Sequence, residues 1–241
     1  MKWSAECCVV IPCLNEAREI GAVVAAARRF LPSILVIDDG SMDRTARAAR
    51  KAGAAVITHA RPFGKGEALG TGFRAAQSRG FSWALAMDGD GQHRADDIPA
   101  FLREAGLGGR MVIGNRMADP ASMPWVRRAV NRWMSRALGD FCGQPAPDSQ
   151  CGFRLVHLPS WESLRFTSRR FEVESELLVR FAAAGFPIRW VPVRTRYAGE
   201  QSKIRPLRDT LRWFRWWVAI RRELGTSPAA WKRPVLSHDA A

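Results

Sequence analysis

Between Cys7 and Met87, short runs rich in β-branched residues alternate with segments of helical periodicity: Cys7–Ile11, Glu16–Phe30, Ile34–Ile37, Arg44–Ala52, Ala55–Thr58, Glu67–Arg79 and Ala84–Met87. That rhythm predicts βαβ units, and with them an α/β domain whose mostly parallel sheet is flanked by helices. Asn15, Asp38, Asp39, Asp88 and Asp90 fall just after strands in this reading. In an open α/β sheet a ligand lies outside the carboxyl ends of the strands, so these side chains are expected to converge on one crevice.

Past Asp90 the alternation loosens. Helices are expected near Ile98–Ala105, Trp125–Leu138, Phe171–Ala184 and Pro206–Leu224, and strands near Met111–Gly114 and Ile188–Val193. A length of 241 residues with 47% hydrophobic content suits one sizeable domain, here 1–204, followed by an amphipathic interfacial or docking helix at 205–225 and a tail at 226–241. Every longer apolar stretch is broken by Arg, Asp, Gly or Pro, so no segment spans a bilayer. The five cysteines have no metal-ligand spacing and read as reduced thiols of a cytoplasmic protein.

The net charge of +14 is concentrated: 110–136 carries +5 and 194–222 carries +7. Such concentration points to an anionic partner, whether phosphate, nucleic acid or a membrane surface.

The sharpest local signal is Asp88-Gly89-Asp90-Gly91-Gln92, where a strand ends in two carboxylates one residue apart, followed by an amide oxygen. Hard oxygen ligands in an incomplete set suit Mg²⁺ or Mn²⁺, with positions left for substrate phosphate oxygens. A polar turn rich in Asp and Gly would look the same in isolation. Position argues against the turn alone, because a second strand ends in Asp38-Asp39. Two adjacent carboxylates at a buried edge need donors, which a base N–H or a ribose hydroxyl would supply.

Four blocks, VVIPCLNEAREI, VIDDGSMDRT, GKGEALGTGFRAA with MDGDGQH, and DSQCGFRL, resemble the family-2 glycosyltransferases of GT-A (Rossmann-like) fold, over roughly residues 7 to 205. Within that family they are most similar to the polyprenyl-phosphate branch typified by dolichol-phosphate mannosyltransferase. The resemblance implies a nucleoside diphosphate sugar donor (UDP- or GDP-), a polyprenyl phosphate acceptor and inversion at the anomeric carbon. It implies that Pro12, Leu14, Glu16, Ile37, Asp39, Lys65, Asp88, Gly89, Asp90, Arg196 and Lys203 contact the donor, and that Asp88, Asp90 and Gln92 hold the metal. The family often has an aromatic residue where this chain has Leu14, which leaves the base unassigned. Arg116, Arg127 and Arg128 are expected to grip the acceptor phosphate, as bidentate guanidinium geometry favours. Asp90, Asp148, Arg116, Arg127 and Lys203 form the expected catalytic set, with Asp148 orienting sugar or acceptor. The spacing from Arg196 to Lys203 is one residue longer than the branch's mobile loop implies.

On the final helix Arg208, Arg212, Arg215 and Arg222 share one face and most of the remainder is apolar, with three tryptophans. That pattern suits a membrane surface or a membrane protein partner, placing the chain peripherally at the cytosolic face of a membrane; a helix docked on the sheet explains it equally. Of the four histidines, only His93 is expected near the site, and which of Glu172, Glu174 and Glu176 reaches it is open. Two other functions fit parts of the sequence. A transferase acting on a saccharide or lipid hydroxyl would need Asp148 or a downstream Glu as base. A non-enzymatic nucleic-acid binder suits the charge but leaves four strand-end aspartates repelling phosphates, so no nucleic-acid partner is expected.

Overall fold

The alternation is realised as seven strands in one sheet, described in a computed structural model covering residues 2–120, 123–168, 170, 172–195 and 206–225. Helix α1 (Trp3–Glu6) precedes β1 (Cys7–Cys13), α2 (Ile20–Arg28), β2 (Ile34–Asp38), α3 (Thr45–Lys51), β3 (Ala55–Thr58), α4 (Lys65–Gln77) and β4 (Trp83–Ala86). Then come α5 (Ile98–Gly106), β5 (Met111–Asn115), α6 (Trp125–Cys142), β6 (Arg154–His157), α7 (Leu158–Glu162), α8 (Val173–Ala183), β7 (Ile188–Pro192) and α9 (Pro206–Leu224). The Arg194–Arg222 basic segment therefore includes a described helix, whereas Arg196, Lys203 and the 226–241 tail lie outside the described residues.

The strand order is β3-β2-β1-β4-β6-β5-β7. Only β6 runs against its neighbours; β1 pairs in parallel with β2 and β4, β2 with β3, and β5 with β7. Chain order reverses at β1, which puts a switch-point crevice at its carboxyl end. The reversed β6 was not legible as a strand because its four residues begin with Arg154. Its direction has a consequence: the loop before it, holding Asp148 to Phe153, arrives at the edge where β1, β2, β4 and β5 end.

Proline in a central strand normally costs a ladder hydrogen bond. Pro12 avoids this because the β1–β4 pairing stops at Val10↔Ala86, and Pro12 aligns only with Ile37 of β2. The expected helix from Glu16 starts later, at Ile20. Asn15 sits at a left-handed φ of 54°, and the N–H groups of Glu16 and Ala17 are given to Thr45 and Asp43 side chains at 2.8 and 3.1 Å. The β-branched runs of β1 and β2 are almost wholly buried, as expected of strands covered on both faces.

Helix α4 lies close on this sheet. A Cβ added at Gly72 would come within 2.3 Å of Val10 Cγ1, whereas one at Gly70 would meet only the flexible Arg74 guanidinium at 3.2 Å. Gly72→Ala is expected to lower the melting temperature by several degrees, because overpacking of about 1–3 kcal/mol exceeds the helix-propensity gain of about 1 kcal/mol. Gly70→Ala should raise it slightly; equal shifts in the two melts would contradict the close packing.

Helix α9 docks on the domain. Trp213 is buried and donates from Nε1 to Ser175 Oγ at 2.9 Å, Arg180 Nη1 pairs with Glu223 at 2.5 Å, and Ile220 is buried. Of the two readings left open for this helix, docking takes up two of the tryptophans, because Trp213 meets Trp133 of α6 edge-on and Trp217 meets Phe141. Among the described residues, the large apolar side chains left exposed on the two helices are Leu211 and Phe214 on α9 and Trp125, Val126, Val130 and Trp133 on α6.

Candidate active site

The four aspartates at the ends of β2 and β4 divide into two structural pairs. Asp38 accepts from Ser41 N at 3.0 Å and shapes its own loop. Asp39 is buried, and its carboxylate accepts from Phe63 N (2.9 Å), Gly64 N (2.7 Å) and His59 Nδ1 (2.7 Å). The donors that the sequence reading assigned to a base or ribose are therefore supplied to a large extent by the protein. His59, expected away from the site, is a direct partner of Asp39. What Asp39 fixes is the turn that starts α4 at Lys65, with Gly64 at a φ of 109° that favours glycine.

Lys65 reaches from this turn to Asp88, placing Nζ 2.6 Å from Asp88 Oδ1 and 2.7 Å from Glu174 Oε1 on α8. Burial alone would lower the Lys65 pKa, but the two carboxylates outweigh it and hold the ammonium above its ordinary range. Burial would likewise raise Asp88; the Lys65 charge and the His93 ring hold its carboxyl well below the usual carboxylate range instead. His93 is buried, with Nε2 3.2 Å from Asp88 Oδ2 and its ring over Phe153. Of the three glutamates at the start of α8, Glu174 is the one that joins this cluster. Glu176 accepts from Thr167 N and Ser168 N, and Glu172 lies 3.5 Å from Arg212.

Glycines make the convergence possible. A Cβ on Gly89 would lie 2.5 Å from Cys13 Sγ and 3.6 Å from Glu16 Cγ, so the β4 loop presses against the end of β1. A Cβ on Gly152 would lie 2.7 Å from Lys65 Nζ and 2.6 Å from Asp88 Oδ2. The DSQCGFRL block thus closes over the Lys65–Asp88 pair. Pro12, Leu14 and Glu16 sit half-buried at the same edge, and Ile37 is buried beneath it.

Asp90 and Gln92 are half-buried, and one Asp90 oxygen accepts from Gln92 N at 3.0 Å. Two carboxylates and an amide oxygen fit Mg²⁺ or Mn²⁺ chemically. Among the described residues no three His, Cys, Asp or Glu side chains gather to enclose an ion, so the donor set suits one shared with phosphate oxygens.

Arg116 leaves β5 and is nearly buried. Asp148, fully buried, accepts from Arg116 N (2.9 Å), Nε (2.7 Å) and Nη2 (2.8 Å) and from Asn131 Nδ2 of α6 (2.8 Å). Burial would raise the Asp148 pKa, and Arg116 reverses that and holds it low. The bidentate edge of Arg116 is thus spent on Asp148 and is not the one that meets an acceptor. Arg127 and Arg128 are half-buried in the first turn of α6, about one turn before Asn131. Arg154, buried, donates to the carbonyls of Cys151, Ser149 and Glu174 at 2.8, 2.7 and 2.5 Å. It fastens the Asp148 loop to the start of α8, a role no spacing signalled. Burial pushes the Cys151 thiol up to about 12, which removes it as a nucleophile.

A family model described as Glycosyl transferase family 2 matches residues 8–164. Glycosyltransferase AglJ from Haloferax volcanii is 34% identical over 209 residues, covering 84% of this chain and 67% of the relative. The dolichyl-phosphate hexose transferase of the same organism is 30% identical over 201 residues, covering 82% and 86%. Glucosyl-3-phosphoglycerate synthase from Mycobacterium tuberculosis, solved with Mn²⁺, UDP-glucose and phosphoglyceric acid, shares the fold at a TM-score of 0.64 and 23% identity, covering 89% of this chain and 78% of that one. The matched residues run through the ends of β1, β2, β4 and β5 and the Asp148 loop; on that ground the chain belongs to glycosyl transferase family 2, a glycosyltransferase of GT-A fold resembling the dolichyl- and polyprenyl-phosphate branch.

Proposed function

We propose that this glycosyltransferase moves a hexose-type sugar, with inversion, from a nucleoside diphosphate donor to a polyprenyl phosphate. The observation that carries the choice of acceptor is the state of Asp148. A hydroxyl acceptor needs a general base within hydrogen-bond reach, and the four hydrogen bonds to Asp148 engage the carboxylate best placed for that work. Glu174 is paired with Lys65, and Glu176 is held by Thr167 and Ser168. A lipid phosphate is already an anion at neutral pH and requires positioning rather than deprotonation.

In this reading Pro12, Leu14, Glu16, Ile37, Asp39 and Gly89 shape the nucleotide crevice, and Asp88, Asp90 and Gln92 hold Mg²⁺ or Mn²⁺. The ion supplies Lewis-acid neutralisation of the leaving diphosphate. That a mycobacterial synthase of the same fold binds Mn²⁺ with UDP-glucose supports a divalent ion beside a nucleotide sugar, while the choice of residues rests on the family resemblance. Arg127 and Arg128 grip the acceptor phosphate while Arg116, fixed by Asp148, supplies an oriented charge behind them. Arg196 and Lys203, which the family resemblance assigns to the donor diphosphate, lie outside the described residues. The lipid acceptor also accounts for the apolar surface on α6 and α9, where Trp125 is 74% and Leu211 63% exposed beside arginines. That surface rests on a membrane, with the protein peripheral at its cytosolic face; among the described residues no helix is long and apolar enough to cross one.

The test is transfer in vitro. Purified protein with Mg²⁺ or Mn²⁺, a panel of UDP- and GDP-sugars and a polyprenyl phosphate should yield glycolipid, and the parent polyprenol should yield none. Glycosylated polyprenol would move the assignment to a hydroxyl acceptor, and no product with any donor would end it.

A further inference from the structure

The Lys65 ammonium contacts the carboxylate that the proposed function assigns to the divalent ion. It bonds Asp88 Oδ1 at 2.6 Å and is moored from the other side by Glu174 Oε1 at 2.7 Å, with Gly152 packed against the pair. Glu174 is 5% exposed, comes from α8 rather than a strand end, and its backbone carbonyl is fastened by Arg154. Its carboxylate bonds the Lys65 ammonium and also feels the buried Arg154 guanidinium, so it stays a charged mooring for Lys65. Two cations on one carboxylate oppose each other, so Lys65 and a divalent ion compete for Asp88.

From this geometry we infer that Lys65 and Glu174 act as a resident counter-cation and its mooring, weakening divalent-ion binding until a nucleoside diphosphate offers the ammonium a second anion. The inference rests on the metal assignment to Asp88 and Asp90. Glu174 holds the ammonium within reach when Asp88 is given up, so the positive charge stays at the site for the phosphates. Metal and nucleotide then bind with positive coupling, and the coupling runs through Lys65. Neither residue takes a proton or forms a bond in the reaction; both are positioning residues.

The measurement is Mn²⁺ affinity, read from free Mn²⁺ by electron paramagnetic resonance, with and without UDP. Lys65→Met is expected to bind Mn²⁺ alone roughly tenfold tighter and UDP, at saturating Mn²⁺, roughly tenfold weaker. Removing any nearby positive charge would tighten metal binding somewhat, and Lys65→Met strands Glu174. The double variant Lys65→Met/Glu174→Gln meets both points, because it leaves the site's net charge unchanged while still releasing Asp88. It too should bind Mn²⁺ alone several-fold tighter than the wild type. Unchanged Mn²⁺ affinity in the double variant overturns the competition even if the single variant binds more tightly. If wild type and variants alike bind no Mn²⁺, with or without UDP, the metal assignment itself falls, and the inference with it.

Discussion

Asp90→Asn should reduce kcat/KM for glycosyl transfer by roughly 10³-fold, about 4 kcal/mol of transition-state stabilisation, while leaving the fold intact. The substitution keeps the oxygen that accepts from Gln92 N at 3.0 Å, so the turn after β4 retains its internal hydrogen bond. What it removes is the negative charge, and with it the hard anionic ligand of the donor set. Asp88 is a less clean target, because its loss would also release Lys65 and His93. Thermal protection gives a readout independent of activity. At a hundredfold excess over Kd, a nucleotide that needs the ion stabilises the wild type by about 2.7 kcal/mol, a shift of roughly 5–10 °C for a domain of this size. With Asp90→Asn that Mn²⁺-dependent shift from UDP or GDP should vanish while the melting temperature without ligand stays within about 1 °C of wild type. Protection that persists would take Asp90 out of the metal site. The larger of the UDP and GDP shifts in the wild type also names the base, which Leu14 leaves unassigned.

The first half of the fold was legible because its strands are short, β-branched and bounded by turn residues, so period and punctuation agreed. The strand β6 was not, since Arg154 interrupts the apolar pattern and is made tolerable by two carbonyls of the loop just before it and one at the start of α8. The acidic strand ends announced a crevice, and the structure gathers Asp39, Asp88 and Asp90 at one edge. Spacing could not show how those carboxylates are satisfied. His59 lies 20 residues from Asp39 in sequence yet bonds it, and Glu174, 86 residues beyond Asp88, shares the Lys65 ammonium with it. For a related reason the sequence leaves open whether α9 docks or faces outward. Periodicity ranks side chains around a helix but does not say how much of the circumference a neighbour covers, and here α6 and α8 take up Trp213.

Asp148→Ala should be the most destabilising single change at the site. It leaves the Arg116 guanidinium and the Asn131 amide buried without the carboxylate that accepts from both, and breaking a buried pair from one side costs about 3–5 kcal/mol. The melting temperature should fall by about 10 °C or more. The pH dependence has a definite sign. Asp148 has its folded pKa depressed by Arg116, so its contribution is fully present above the unfolded carboxylate value of about 3.9 and is lost as pH falls towards the folded value. The gap between wild type and Asp148→Asn should therefore be constant from pH 6 to 8 and narrow below about pH 4. A gap that persists unchanged at acid pH would mean that the aspartate's charge is not what holds Arg116. Stability and function separate in the double variant Arg116→Met/Asp148→Leu, which removes the ion pair as a unit. Replacing a buried pair by apolar side chains of similar size is often neutral, so the fold should recover most of the loss. Transfer should not recover, because the oriented charge behind the acceptor phosphate is gone, and the deficit should appear as a raised KM for polyprenyl phosphate with donor affinity unchanged. Recovered stability with recovered transfer would reduce Arg116 and Asp148 to a structural brace and leave Arg127 and Arg128 as the acceptor's only proposed contacts.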